Sequence, residues 1–204
     1  LAERKAIAVI DGSLPSPHQG EVLRLLKITF LSLMLALTLA CSNDPTSGSQ
    51  TDRKIDASAP TVQLVGRVTD SAQILTYQQE FDLSEKLEEL ERSTGHQMVI
   101  ATVPTLGGQD IAEFTTDLAN SWGIGRKDYD DGVVLLIAPN EQKARIAVGL
   151  GLERELTDAL CQQIMDEKII PQFRDGDLAG GIDAGADAII FRLNRGLSSH
   201  SPQS

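Results

Sequence analysis

Two continuous apolar runs, Gln97-Met98-Val99-Ile100-Ala101-Thr102-Val103 and Val133-Val134-Leu135-Leu136-Ile137-Ala138, constrain this chain more than any other feature. Each has the length of a strand, and continuous rather than alternating apolarity suits a strand covered on both faces. Between them, Asp110 and Glu113 open a helix that carries Ile111, Phe114, Leu118 and Trp122 on one side. Strand, helix, strand predicts a parallel pair joined by a right-handed crossover. Pro139-Asn140-Glu141-Gln142 then makes a turn, and the alternating Lys143-Ala144-Arg145-Ile146-Ala147-Val148 returns as the antiparallel strand of a hairpin.

The flanking stretches supply the covering layers. Thr76 with Gln79 forms a capping box ahead of Leu83, Leu87 and Leu90, so residues 77–93 are an amphipathic helix ended by Gly95. Val62-Gln63-Leu64-Val65 is expected as a short edge strand before it. Thr157 caps a third helix to about residue 170. Asp177 caps a fourth, with Leu178, Ile182, Ile189 and Leu193 toward the core. The fold class is α/β: a three-layer α/β/α sandwich whose mixed sheet combines the parallel βαβ pair with the hairpin strand. Residues 60–195 suffice for one solid core, and residues 196–204 are expected as a disordered tail.

Ahead of the domain, residues 28–40 hold 13 residues without a charge, preceded by Arg24 and Lys27. A membrane span needs roughly 20 such residues, a signal peptide's apolar region roughly 7–15. Thr38-Leu39-Ala40-Cys41 resembles a bacterial lipobox, with Thr38 where Leu is usual, which makes Cys41 the lipid-bearing residue. Cleavage after Ala40 without lipidation and a retained anchor are the alternatives. Residues 22–41 are therefore the expected signal peptide. Residues 42–59 are too polar to bury a core and are expected as a disordered tether. Residues 1–21 match no signal pattern and the chain opens on Leu, so initiation at Val22, Leu25 or Leu26 is expected.

Charge narrows the partners. With 18 basic and 29 acidic residues the formal charge is −11, which excludes bulk electrostatic binding of nucleic acid. Two Cys and three His exclude a disulfide scaffold, a zinc-finger array and most His-rich metal sites.

W-G-I-G-R-K (122–127), D-D-G-V-V-L-L-I-A (130–138), R-I-A-V-G-L-G-L-E (145–153) and L-T-D-A-L (156–160) closely resemble the TPM domain. So do G-R-V-T-D (66–70), V-P-T-L-G-G (103–108) and I-I-P-Q-F-R-D-G-D (169–177), in the same order over 62–193. The resemblance implies an α/β/α fold in the bacterial envelope or thylakoid lumen. It also implies the acid phosphatase activity and calcium binding of some members. The family commonly has Asp-Asn-Gly where this chain has Asp130-Asp131-Gly132.

The hairpin itself nominates a site. The loop entering the strand at 133–138 and the loop leaving the strand at 143–148 share one end of the sheet. Asp128, Asp130 and Asp131 should approach Glu153 and Asp158. Converging carboxylates with few cations nearby call for a bound ion, and oxygen-only donors suit Ca²⁺ or Mg²⁺. The helix start near Thr157 offers free N–H groups to a phosphate oxygen. Asp70 is a weaker candidate, because its helix should start at the opposite end. Asp-Tyr-Asp-Asp-Gly lacks the EF-hand's bidentate Glu, and Cys161 lacks the Arg of a Cys-x5-Arg loop, since residue 167 is Glu. Metal-activated water is the visible route to hydrolysis. Two functions are expected: a membrane-tethered, calcium-binding domain with weak phosphoesterase activity, facing the periplasm or cell exterior, or a non-catalytic module serving an envelope membrane-protein partner.

Overall fold

Side-chain alternation along one strand organises the sheet. In β4 (Gly132–Ala138) every residue is buried. Val133, Leu135 and Ile137 enter one apolar layer, while Val134, Leu136 and Ala138 enter the opposite face, as the period of two requires. A fully apolar strand is thus satisfied only at the centre of a sheet with helices on both sides. The computed structural model describes residues 6–9 and 62–198. The signal segment at 22–41, Cys41 and the tether at 42–59 lie outside the described residues; of the tail expected over 196–204, residues 196–198 are instead the end of the last helix, Leu178–Ser198, and 199–204 lie outside the described residues.

The strand order is β1-β5-β4-β3-β2. β2 (Val68–Asp70) and β3 (Gln97–Thr102) are parallel, as are β3 and β4, while β5 (Lys143–Val148) returns antiparallel to β4. β1 (Ala6–Val9), drawn from the stretch expected to precede the start, lies antiparallel on the outer side of β5.

Two parallel crossovers carry helices. α1 (Tyr77–Thr94) joins β2 to β3 and begins with the Thr76–Gln79 capping box, the Thr76 N–H donating to Gln79 Oε1 at 2.8 Å. Its Leu83, Leu87 and Leu90 are buried, and Gly95 ends it with φ 77°. α2 (Ile111–Trp122) joins β3 to β4 and is capped by Asp110, which accepts from the Ala112 N–H at 2.7 Å. α2 covers Val134, Leu136 and Ala138; α1 and the C-terminal helices cover the other face.

Two sequence expectations change. Val62–Val65 is not a strand: Leu64 and Val65 are 41% and 85% exposed, and the edge strand forms at Val68–Asp70, where two of the three residues are buried. The third helix is not a single α-helix to residue 170. α3 (Asp158–Ile164) runs into a π-helical turn at Met165–Ile169, then α4 (Ile170–Arg174). α5 (Leu178–Ser198) follows, with the Gly180 N–H donating to Asp177 Oδ1 at 2.7 Å. In α5, a Cβ at Gly181 would strike the Phe173 ring and one at Gly185 the Ile169 side chain. These glycines let the π turn lie directly on α5.

Candidate functional site

Two loops meet at the end of the sheet where β4 begins and β5 finishes. The first, residues 124–131, turns tightly: the Tyr129 and Asp130 N–H groups both donate to Arg126 O at 3.1 Å. Asp128 and Asp130 sit in the left-handed region with φ 72° and 48°, a conformation that Asp tolerates better than most residues. The second loop opens with Gly149 and Gly151. The Gly149 N–H donates to Gly132 O at 2.8 Å and the Gly151 N–H to Asp130 O at 3.1 Å. A Cβ at Gly149 would collide with the Asp130 carbonyl, and one at Gly151 with the Tyr129 carbonyl. The two loops are interlocked backbone against backbone, which only residues without a side chain permit.

The expected carboxylates fare differently. Asp131 is 2% exposed and is claimed by its own loop. It accepts the Arg126 N–H at 2.8 Å, Arg126 Nε–H at 2.7 Å and Arg126 Nη2–H at 2.5 Å, and His96 Nδ1 lies 3.3 Å away. Burial alone would raise this carboxyl's pKa. The Arg126 guanidinium, the Arg126 backbone N–H and His96 outweigh burial and hold it below the ordinary carboxylate value. Asp131 is therefore a buried keystone rather than the exposed loop ligand its sequence position suggests.

Asp128 is exposed and Asp130 partly buried. Glu153 is partly buried, and its Oε1 is buried without a hydrogen-bond partner. Asp158 is exposed at the first residue of α3, whose cap Thr157 accepts the Leu160 N–H at 3.3 Å. Asp70 lies at the opposite end of the sheet, bonded to the Thr102 hydroxyl and accepting the Leu75 N–H at 2.8 Å. It is a structural residue that fixes the turn into α1. Thus the structure joins the loop of Asp128–Asp131 to the loop of Glu153 and leaves Asp70 apart. Among the described residues, no three His, Cys, Asp or Glu side chains are grouped to hold a metal.

Sequence reasoning missed Arg126 and His96. Arg126 also stacks over Tyr129, 4.4 Å from the ring centroid, and its cation offsets the negative charge of the loop. The signal was present: the basic pair Arg126-Lys127 interrupts the otherwise acidic loop. Gln97 supports the same corner, accepting the Gly125 N–H at 2.9 Å and donating to Glu91 at 3.1 Å. Cys161 is buried, and burial followed by the charge of Asp158 pushes its thiol up to about 12, away from the thiolate that a nucleophile needs.

Known proteins share this fold. No curated protein matches the chain. A solution structure of the N-terminal domain of a P. gingivalis protein is 31% identical, covers 72% of this chain and 95% of its own, and superposes with TM-score 0.63. The N-terminal domain of the cg2496 protein from Corynebacterium glutamicum is 18% identical, covers 72% of this chain and 89% of its own, with TM-score 0.51. The BA42 protein from the psychrophilic Bizionia argentinensis is 16% identical, covers 59% and 82%, with TM-score 0.53; these last two share the fold. The family model described as the TPM domain matches residues 68–191, and the chain belongs to that family.

Proposed function

We propose that this TPM domain works outside the cytoplasm, held to a bacterial envelope membrane through a lipid on Cys41, and that its interlocked loops bind a divalent cation. The observation that carries the ion is Glu153, whose buried Oε1 has no hydrogen-bond partner. A buried carboxylate oxygen left unpaired is costly unless a positive charge meets it. Asp128, Asp130 and Asp158 are not grouped around Glu153 as the loops stand; turned toward an ion, they would offer it only oxygen donors, as a hard cation prefers. Calcium suits such loops better than magnesium, because it accepts six to eight oxygens in flexible geometry whereas magnesium demands a near-ideal octahedron. Asp131 takes no part in ligation: its charge is already met by Arg126, and its role is to hold the loop's shape.

A bound ion would supply Lewis-acid chemistry, the route to a weak phosphoesterase activity. The lack, among the described residues, of three grouped metal-ligating side chains favours the other reading, a module that binds without turnover and serves a membrane-protein partner.

Calorimetric titration of the full chain with calcium tests the ion. The parent should bind saturably, Glu153→Gln should bind at least ten-fold more weakly, and Asp117→Asn, exposed on α2, should match the parent. A folded parent that takes up no calcium refutes the site. Aryl phosphate hydrolysis lost on chelation and in Glu153→Gln would establish the phosphoesterase. Intact calcium binding without hydrolysis would establish the binding module.

A further inference from the structure

β5 would be the edge of the sheet were it not for residues 6–9. In this chain Ala6 lies opposite Ala147 and Ile7 opposite Ile146, and the register slips between Ile7 and Val9, where Val9 meets Arg145. The Gly149 N–H donates across the β4–β5 pair to Gly132 O. Alternation along an antiparallel ladder then turns the N–H groups of Ala144, Ile146 and Val148 away from β4, toward the outer edge. The edge thus accepts an extended segment of small and β-branched residues, Ala6-Ile7-Ala8-Val9 being the one seated there.

That segment and an exported domain are incompatible, a point that rests on the extracytoplasmic reading above. The apolar run at 28–40 separates residues 6–9 from every other strand. Cleavage before Cys41 removes residues 6–9, initiation at Val22 never makes them, and a retained anchor leaves them across the membrane from β5. In each case β5 reaches the envelope uncovered, with a row of unpaired N–H and C=O groups of the kind that recruits another strand.

We propose that the outer edge of β5 is a strand-acceptor site, uncovered by export, that takes an extended segment of an envelope partner antiparallel to it. Charge specifies the partner further. A strand in the register of Ala6 opposite Ala147 brings the residues before it to Val148 and Gly149, the end of β5 that abuts the acidic loop at Asp130. Basic residues followed by four alternating small and β-branched residues fit that edge, and Arg4-Lys5 ahead of Ala6 has this pattern.

Hydrogen exchange on the full chain in detergent tests the site, with Ile7→Pro as the variant and a synthetic peptide of residues 4–11 as the probe. Proline removes the N–H and the pairing at β1. Exchange of the Ala144 and Ile146 amides should rise at least ten-fold in Ile7→Pro, while the amide of Leu135 on central β4 stays protected. Excess peptide should restore protection, and the same peptide carrying Ile7→Pro should not. Equal edge exchange in parent and variant, or no protection by the peptide, would overturn the proposal. Protection in the variant that grows with protein concentration alone would overturn the partner in favour of a second copy. Loss of protection at Leu135, both in Ile7→Pro and in a chain beginning at Val22, would overturn it too, because β1 would then be core rather than cover. The exchange reads the edge in any compartment. Failure of the envelope reading would appear instead in cell fractionation, with the edge result unaffected.

Discussion

Replacing Asp131 by Asn should destabilise the domain by about 2–3 kcal/mol, the upper part of the range for a broken buried polar network. The figure follows from its bonds. Asn can keep the acceptor for the Arg126 backbone N–H, held at 2.8 Å in the parent. It loses the charge that faces Arg126 Nε, Arg126 Nη2 and His96, and its amide N–H₂ meets donors rather than acceptors. A hydrogen bond to a charged group contributes about 1.5–3 kcal/mol. Two such bonds are discounted because the Arg126 side chain is 43% exposed and water can take it over. Urea melts of parent and variant measure the difference directly. The pH dependence supplies a second check. Asp131 titrates below its ordinary value of 3.8 in the folded chain, so its contribution is complete above the unfolded value and fades as pH falls through the lower folded one. The gap between parent and Asp131→Asn should therefore be constant above about pH 5 and shrink below about pH 4. A gap under about 0.5 kcal/mol at neutral pH, within the scatter of surface changes, would refute the keystone role.

Three further outcomes are expected. Gly151→Ala, which drives a Cβ into the Tyr129 carbonyl, should cost about 1–3 kcal/mol of stability by overpacking and weaken calcium binding in the same titration. Gly181→Leu should lower the urea midpoint despite the roughly 1 kcal/mol a helix gains on losing a glycine, because the new side chain meets the Phe173 ring. Cys161, with its thiol pushed up to about 12, should resist iodoacetamide at pH 8 in the folded chain and react on unfolding, read by mass spectrometry.

Period and capping made most of the fold legible. Thr76 with Gln79, Asp110, Thr157 and Asp177 all cap helices where their side chains predicted. The unbroken apolarity of 133–138 announced a central strand. The strand expected at 62–65 failed because apolar residues alone do not choose between neighbouring registers: Thr69 at 2% exposure is better buried than Val65 at 85%. The site was half legible. Hairpin geometry brings the loops of Asp130 and Glu153 together, but spacing cannot say which way a carboxylate turns. Asp131 turns inward because Arg126, five residues earlier, folds back onto it. The π turn left no mark, since its residues are ordinary helix formers.

The π turn at Met165–Ile169 amounts to a helix carrying one residue more than its hydrogen bonds need. Ile164 and Ile169, and Met165 and Ile170, are buried five apart, and Phe173 is buried beyond them. Deleting exposed Glu167 would let the bonds close at the regular spacing of four and yield a smoother helix on its own terms. It would also leave the far end in place, because removing the extra residue brings Ile164 and Ile169 to the four-residue spacing of one helical face and keeps Phe173 at the notch of Gly181. The irregular turn acts as an absorber of one residue, so a single-residue deletion within it should be tolerated, whereas the same deletion in the regular turns of α5 would rotate everything beyond it by about 100°.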